Sequence, residues 1–105
     1  MRITISHKRT KAEVIETVDR SFDKMFQGVG VLPVQFIVDQ KSWQGSICTF
    51  ALTAKMGTFT TPIKGFVEVT DTDVTVDADL GILNRFISDE TARETIGKRV
   101  KGLLT

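Results

Sequence analysis

The fold of this protein is decided by residues 46–58, which read SICTFALTAKMGT. Apolar side chains stand at every second position of this stretch, and a period of two is typical of a β-strand with one buried face. The side predicted to be buried carries Cys48, Phe50, Leu52, Ala54 and Met56. The opposite side is the wetter one and carries Ile47, Thr49, Ala51, Thr53 and Lys55.

Further strands are predicted on both sides of this stretch. Residues 34–39 are rich in β-forming side chains, and residues 59–69 and 74–78 continue the alternation. Gly57 is available for a positive φ angle in a tight turn, and consecutive strands joined by tight turns predict an antiparallel meander. Pro62 falls inside a strand pattern but has no N–H to donate, so we expect a bulge or an unpaired strand start there.

The first third of the chain is predicted to form a short strand at residues 2–6 and then a helix. Thr10 and Glu13 have the spacing of a capping box, which places the start of the helix at this point. The helix is expected to run to the end of its apolar stripe, with Gly28 and Gly30 opening a loop after it. The stripe has helical spacing and consists of Ile15, Val18, Phe22, Met25 and Phe26.

Two helical pieces are predicted after the last strand, because two apolar sets there point in opposite directions at 100° per residue. The sets are Ile82, Leu83, Phe86 and Ile87, and then Ala92, Ile96, Val100, Leu103 and Leu104. Thr91 and Glu94 form a second capping box, which places the break at Thr91. Gly97 and Gly102 interrupt the second piece, and close approach of a backbone, from the sheet or from a second copy in a dimer, would explain them.

The predicted fold class is therefore α+β, with the order β-α-β-β-β-β-α-α and an antiparallel meander sheet that has its helices packed on one face. With 105 residues, the chain is expected to form a single α+β domain over residues 1–105. Hydrophobic residues make up 41% and charged residues 26%, a balance that supports a core without metals or disulfides.

Composition also narrows the classes of function. A formal net charge of +1 is too small to indicate a nucleic-acid partner. No apolar stretch approaches the ~20 residues that span a bilayer, so no transmembrane segment is expected. The chain shows no signal-peptide pattern, and its single cysteine excludes an intrachain disulfide. These features favour a cytoplasmic location.

No catalytic residue, metal site or cofactor is predicted. His7 is the only histidine, and nothing nearby in the sequence would orient it as a general base, so an ordinary surface residue is expected. Cys48 falls on the apolar side of its strand and is expected to be buried and inert. Four aspartates lack the glycine and the distal glutamate of a calcium loop, and a solvated face is expected for them. They are Asp71, Asp73, Asp77 and Asp79.

Several segments of the second half resemble one protein family. They are residues 62–69 (PIKGFVEV), 74–76 (VTV) and 80–83 (LGIL), followed by Phe86. Over roughly residues 60–104 the chain is similar to the small polyhydroxyalkanoic acid system proteins of bacteria. The resemblance implies an association with polyhydroxyalkanoate synthesis or storage granules, and it brings no catalytic residues with it.

Two functional hypotheses follow. The first is a non-enzymatic accessory protein that contacts a polyhydroxyalkanoate granule or a granule protein through an exposed apolar patch, and that forms a homodimer. The alternative is a carrier of small hydrophobic ligands, with a helix-grip-like cavity of a few hundred Å³. The residues predicted to line that cavity are Phe50, Leu52, Ile63, Val67, Ile96 and Val100.

Overall fold

The structure is a computed structural model and describes residues 1–27 and 34–105. Its elements, in chain order, are β1 (Arg2–Ser6), α1 (Lys11–Arg20), α2 (Phe22–Phe26), β2 (Gln35–Gln44), β3 (Ile47–Met56), β4 (Phe59–Val69), β5 (Asp73–Asp79), a 3₁₀ helix (Gly81–Arg85) and α3 (Asp89–Leu104). The loop predicted to open at Gly28 and Gly30 lies outside the described residues.

The five strands form one sheet in the order β1-β5-β4-β3-β2, and every neighbouring pair is antiparallel. Strands β2 to β5 follow one another as the predicted meander, with Gly57 at a φ angle of 62° in the turn between β3 and β4. β1 joins the far side of β5, where Ile3 stands opposite Val76. The predicted α+β class and antiparallel meander are confirmed.

The strand alternation divides the sheet into two faces. On β3, the predicted inner residues Cys48, Phe50, Leu52 and Ala54 are buried, and Met56 at the strand end is half-buried. The helices pack on this inner face, and the rings of Phe22, Phe26 and Phe50 lie with their centroids 5.2 Å apart. The core therefore lies between the helices and one side of the sheet, and the other side is left without a covering layer among the described residues.

Of the two outcomes expected at Pro62, the bulge is wrong, since Pro62 pairs with Thr53 in an unbroken register, whereas the start of β4 is unpaired on its β5 side. The N–H of Val69 donates to the carbonyl of Ser46, on the β3 side. Because alternate residues of a strand face opposite neighbours, Pro62 must turn its nitrogen away from β3. β5 pairs with β4 only from Lys64 onward, so the missing N–H falls where no ladder partner stands.

A bulge is found instead in β2, which is longer than predicted. Val38 pairs with Leu52 and Gln40 pairs with Ala51, which leaves Asp39 as the extra residue. The carboxylate of Asp39 accepts a hydrogen bond from the hydroxyl of Thr53. The prediction ended the strand at Asp39 because the residues beyond it are mostly polar and have low β-propensity. In the structure they nevertheless continue the ladder as far as Gln44.

The first helix begins as predicted and breaks once. The Thr10 side chain accepts a hydrogen bond from the Glu13 N–H at 3.2 Å, which confirms the N-cap. Ser21 leaves helical geometry with φ −107° and ψ 16° and separates α1 from α2. Val14 is fully buried whereas Ile15 is only half-buried, so the stripe is rotated by one residue from the predicted one in α1.

The C-terminal region contains two helical pieces, as predicted, but the break lies earlier. Ser88, not Thr91, is the N-cap of α3, and its side chain accepts a hydrogen bond from the Thr91 N–H at 3.1 Å. The predicted capping box at Thr91 is therefore wrong by one turn. Leu83 of the 3₁₀ helix is buried. Phe86 and Ile87 alone connect this helix to the cap at Ser88.

The glycine at position 97 is required by a close contact with the sheet. It is buried against β1, and a β-carbon there would overlap the Cδ1 atom of Ile3. Gly102 differs, because nothing lies within 4 Å of the place where its β-carbon would stand. The predicted close approach of a backbone is not found at either glycine, because Gly97 lies against the side chain of Ile3 and Gly102 faces open space.

Candidate interaction surfaces

His7 holds a turn together and is not an ordinary surface residue, contrary to the prediction. It is only 9% exposed, and its Nε2 donates to the carbonyl of Thr70 at 2.9 Å. Its Nδ1 accepts the N–H of Arg9 at 3.2 Å. Both ring nitrogens are thus occupied by backbone groups, and the ring connects the end of β1 to the turn between β4 and β5.

Cys48 is fully buried on the inner face, where burial raises the pKa of its thiol. A buried thiol of this kind is the thiolate only in a small fraction of molecules and reacts slowly. Its predicted place in the core is confirmed.

The four aspartates line the β5 side of the sheet without forming a cluster. Asp77 pairs with Arg2 at 3.6 Å, Asp73 accepts a hydrogen bond from Ser6, and Asp79 accepts the N–H of Gly81. Within residues 1–27 and 34–105, no three His, Cys, Asp or Glu side chains are grouped closely enough to hold a metal ion. Asp77 and Asp73 are thus partnered by the neighbouring strand β1, and Asp79 by the backbone that follows β5.

An unpredicted polar cluster fixes α1 to β2. The carboxylate of Asp19 accepts hydrogen bonds from the Lys41 ammonium at 3.0 Å and from the Trp43 indole N–H at 2.9 Å. These two bonds, Lys41 first, hold the pKa of Asp19 below its ordinary value. The Lys41 ammonium also lies 5.5 Å from the ring centre of Phe22. Asp19 is more than 20 residues away from Lys41 and Trp43 in the sequence and no motif connects them, so the sequence contained no signal for this cluster.

The six residues predicted to line a ligand cavity are all buried on the inner side of the molecule. Leu52, Ile63 and Ile96 line a common void of about 10 Å³, whereas the other three predicted lining residues do not border it. The remaining walls are also apolar: Phe26, Phe36, Ala78, Leu80, Leu83, Ile87 and Ala92. A void of this size holds about one water molecule, so ligand binding at this place would require α3 or the 3₁₀ helix to move.

One candidate surface is an apolar patch beside the 3₁₀ helix, called here the 3₁₀ patch and made of Phe59, Pro62, Ile82 and Phe86. The side chains of Ile82 and Phe86 are 49% and 48% exposed. The ring of Phe86 packs edge-on against Phe59, with the centroids 5.8 Å apart, and Ile82 lines a shallow groove with Pro62. The patch follows the stretch of β4 that β5 leaves unpaired.

The second candidate surface is the outer face of the sheet, opposite the helices. Its residues are partly or fully exposed, and Ile37 and Ile47 are its exposed large aliphatic side chains. Phe66 lies near its centre, between Thr49 of β3 and Asp77 of β5. The remaining residues of β2, β3 and β4 on this face are Gln35, Gln40, Ser42, Gln44, Ala51, Thr53, Lys55, Thr60, Pro62, Lys64 and Glu68.

The described part of the chain is thus a two-layer α+β protein whose candidate sites are two surfaces and one small interior void. None of its helices has the length and apolar character needed to cross a bilayer. Comparison with protein-family models, with curated proteins and with solved structures gives no match for this chain.

Proposed function

We propose that this chain is a non-enzymatic accessory protein of polyhydroxyalkanoate synthesis or granules, and that it acts by contacts with a protein or with the granule surface. The observation that carries the proposal is the 3₁₀ patch, where Ile82 and Phe86 are each about half exposed and Ile82 lines a shallow groove. Polyhydroxyalkanoate is proposed because the chain resembles the granule-linked family over roughly residues 60–104.

The patch is held in place by its surroundings. The N–H groups of Phe86 and Ile87 both donate to the carbonyl of Leu83 at 2.9 Å. The Asn84 side chain donates to the carboxylate of Asp89 at 2.8 Å and ties the 3₁₀ helix to the start of α3. A fixed apolar surface loses little conformational entropy when a partner covers it, which favours binding.

The gain from covering the patch is sufficient for a weak surface contact. Burying the exposed half of one large aromatic side chain removes roughly 100 Å² from water, which corresponds to about 2.5 kcal/mol. Ile82 adds a smaller amount of the same kind. A polyester granule offers an extended apolar surface, so many copies of the protein could adsorb side by side. A cytoplasmic location and a homodimer belong to the same proposal.

Sedimentation with amorphous poly(3-hydroxybutyrate) granules tests the proposal. Phe86→Ser removes one half-exposed apolar side chain from the patch, and Ile37→Ser removes one of similar exposure, 42%, from the outer face of the sheet. We expect the wild type and the Ile37 variant to sediment with the granules and the Phe86 variant to remain largely in solution. Failure of the wild type to bind, or equal binding by both variants, would overturn the proposal.

The carrier remains the second candidate, and the wholly apolar lining of the 10 Å³ void favours it. In this arrangement a ligand would enter as the 3₁₀ helix or α3 moves away from the sheet and would replace contacts to Leu52 and Ile96. Native mass spectrometry after incubation with medium-chain fatty acids measures this directly. A stoichiometric adduct that Ile96→Ala strengthens would favour the carrier over the accessory protein.

A further inference from the structure

We infer that the groove between β4 and the start of the 3₁₀ helix, called here the β4 groove, binds a small aliphatic amino acid as its zwitterion. The inference goes beyond the proposed function, because it concerns a small soluble ligand and a largely polar site, whereas the granule contact needs the Phe86 ring. It is carried by a buried hydroxyl group, by a glycine that leaves space above it and by two opposite charges at the rim of the groove.

The β4 groove forms where β5 leaves β4. Lys64 and Asp79 are the last residues that pair these two strands, and the chain then turns at Gly81, which has a φ angle of 55°. The groove holds about 340 Å³, which is at the lower end of the range of small-molecule sites. Its walls are Thr61, Pro62, Lys64, Asp79, Gly81 and Ile82.

The deepest polar group of the groove is the hydroxyl of Thr61, a residue that is only 4% exposed. The hydroxyl groups of Thr53 and Thr70 have partners, whereas no described residue bonds that of Thr61. Every fully enclosed side-chain nitrogen or oxygen of the described residues has a partner, so this hydroxyl must open to the outside. Thr61 reaches the surface at the groove, and a largely buried hydroxyl gains free energy when a ligand bonds it there.

Gly81 leaves the space above this hydroxyl unfilled. The Oγ1 atom of Thr61 and the carbonyl oxygen of Pro62 each lie 3.8 Å from the point where a β-carbon of residue 81 would stand. The Pro62 carbonyl has no ladder partner on this side, because β5 pairs with β4 only from Lys64 onward. Two oxygen atoms therefore face one empty position that a ligand atom can occupy.

Two opposite charges stand at the rim of the groove. The side chains of Lys64 and Asp79 are both exposed, and Lys64 forms no ion pair with any described residue. One carboxylate oxygen of Asp79 accepts the N–H of Gly81 at 3.0 Å, and the other bonds no described residue. Because the two charges are of opposite sign, the groove favours a ligand with one charge of each sign over a simple anion or cation.

An aliphatic amino acid matches this set of groups. Its ammonium carries three N–H donors, and the groove offers three acceptors, namely the Thr61 hydroxyl, the Pro62 carbonyl and the second carboxylate oxygen of Asp79. Its carboxylate then binds the Lys64 ammonium in a charge-assisted hydrogen bond. Its aliphatic side chain covers Ile82, which is 49% exposed.

Titration of the isotope-labelled protein with L-leucine, followed by the amide chemical shifts, tests the inference in the absence of granules. We expect saturable shifts at Gly81 and Ile82, with a Kd of roughly 1 mM or tighter. Isocaproate lacks the ammonium group of leucine and isoamylamine lacks its carboxylate, so each should bind at least about tenfold more weakly. These comparisons use the wild type, so they test the inference even if a variant fails to fold.

Two variants assign the contacts. Thr61→Val keeps the shape of the side chain and removes the hydroxyl, and Lys64→Gln removes the charge, so each should weaken leucine binding at least about fivefold. Thr17→Val and Lys55→Gln are the matched controls, at a buried threonine and an exposed lysine that do not border the groove. Both controls should leave the Kd unchanged.

Three results would overturn the inference: a wild type without saturable shifts in the millimolar range, equal binding of the three ligands, or equal losses in the variants and their controls. Phe86→Ser, which is expected to prevent granule binding, should leave leucine binding unchanged. The two proposals therefore fail independently of each other. The amide spectrum of each variant without ligand verifies that the sheet is intact.

Discussion

The ring of Phe50 lies over Gly65, its cross-strand partner on the inner face of the sheet. A β-carbon at residue 65 would overlap this ring and also the backbone carbonyl of Asp77 on the other neighbouring strand. The aromatic ring thus occupies the space that a side chain at residue 65 would need. This contact allows β3, β4 and β5 to pack tightly beneath the Phe22 and Phe26 rings.

Gly65→Ala should therefore destabilise the protein. The added methyl group meets rigid backbone, and overpacking of this kind costs about 1–3 kcal/mol or more. Gly102→Ala is the control, because its β-carbon would have open space and alanine favours the helix by up to ~1 kcal/mol. Urea unfolding measures both free energies. A Gly65 variant as stable as the wild type would show that the strands are less tightly packed than described.

The N-cap of α3 gives a second prediction, which separates Ser88 from Thr91. Ser88→Ala removes the acceptor for the Thr91 N–H and should lower the free energy of unfolding by about 1 kcal/mol. Thr91→Ala should change it by a few tenths of a kcal/mol at most, since Thr91 lies inside the first helical turn. Thermal or urea unfolding compares the two variants, and a larger effect at Thr91 would move the cap to that residue.

The pH dependence of stability should report on Asp19. Hydrogen bonds from Lys41 and Trp43 lower its pKa in the folded state, so the carboxylate stabilises the fold above the unfolded value near 4. That contribution is lost as the pH falls through the lower folded pKa. Because Asp19 is largely exposed, the effect should stay below about 1 kcal/mol.

Asp19→Asn tests this expectation against Asp23→Asn on the neighbouring helix. The free energy of unfolding is measured by urea titration between pH 7 and pH 2.5. The Asp19 variant should be less stable than the wild type at pH 7, with the difference shrinking toward pH 2.5. An equal effect of the two substitutions would contradict the assigned contacts.

Cys48 should resist thiol reagents in the folded protein. Its side chain is fully buried and burial raises the pKa of the thiol, so both access and thiolate fraction are low. We expect the reaction with a chromogenic disulfide at pH 8 to be more than about 100-fold slower than in the unfolded chain. A cysteine introduced at the exposed Thr58 by Thr58→Cys provides the rapid reference. Equal rates for the two thiols would contradict the burial of Cys48.

Local sequence patterns were sufficient for much of the fold. The alternation on β3, the turn at Gly57 and the N-cap at Thr10 depend on neighbours within a few residues, and each is found where the sequence predicts it. The helix break near residue 90 was also predicted. The exact position of the break was not predicted, because the side chains of both Ser88 and Thr91 can cap a helix. The burial of Leu83 and Ile87 selects Ser88 as the cap.

The candidate sites were less predictable. The sequence identified an apolar set that included Ile82 and Phe86, but it could not show that these two face water while Leu83 and Ile87 are buried. The position of Phe66 between Thr49 and Asp77 on the outer face also depends on strand register. Register joins residues that are far apart in the chain, and no spacing in a single sequence encodes it.

Short-range geometry was sufficient to predict where most of the strands and helices lie and which side of each strand is apolar. Tertiary structure alone decided that β1 extends the sheet beyond β5 and that His7 is buried. It also left one face of the sheet bare. The physical reason is that such outcomes are set by competition among distant surfaces for a limited apolar interior, and that competition is resolved only when the whole chain has packed.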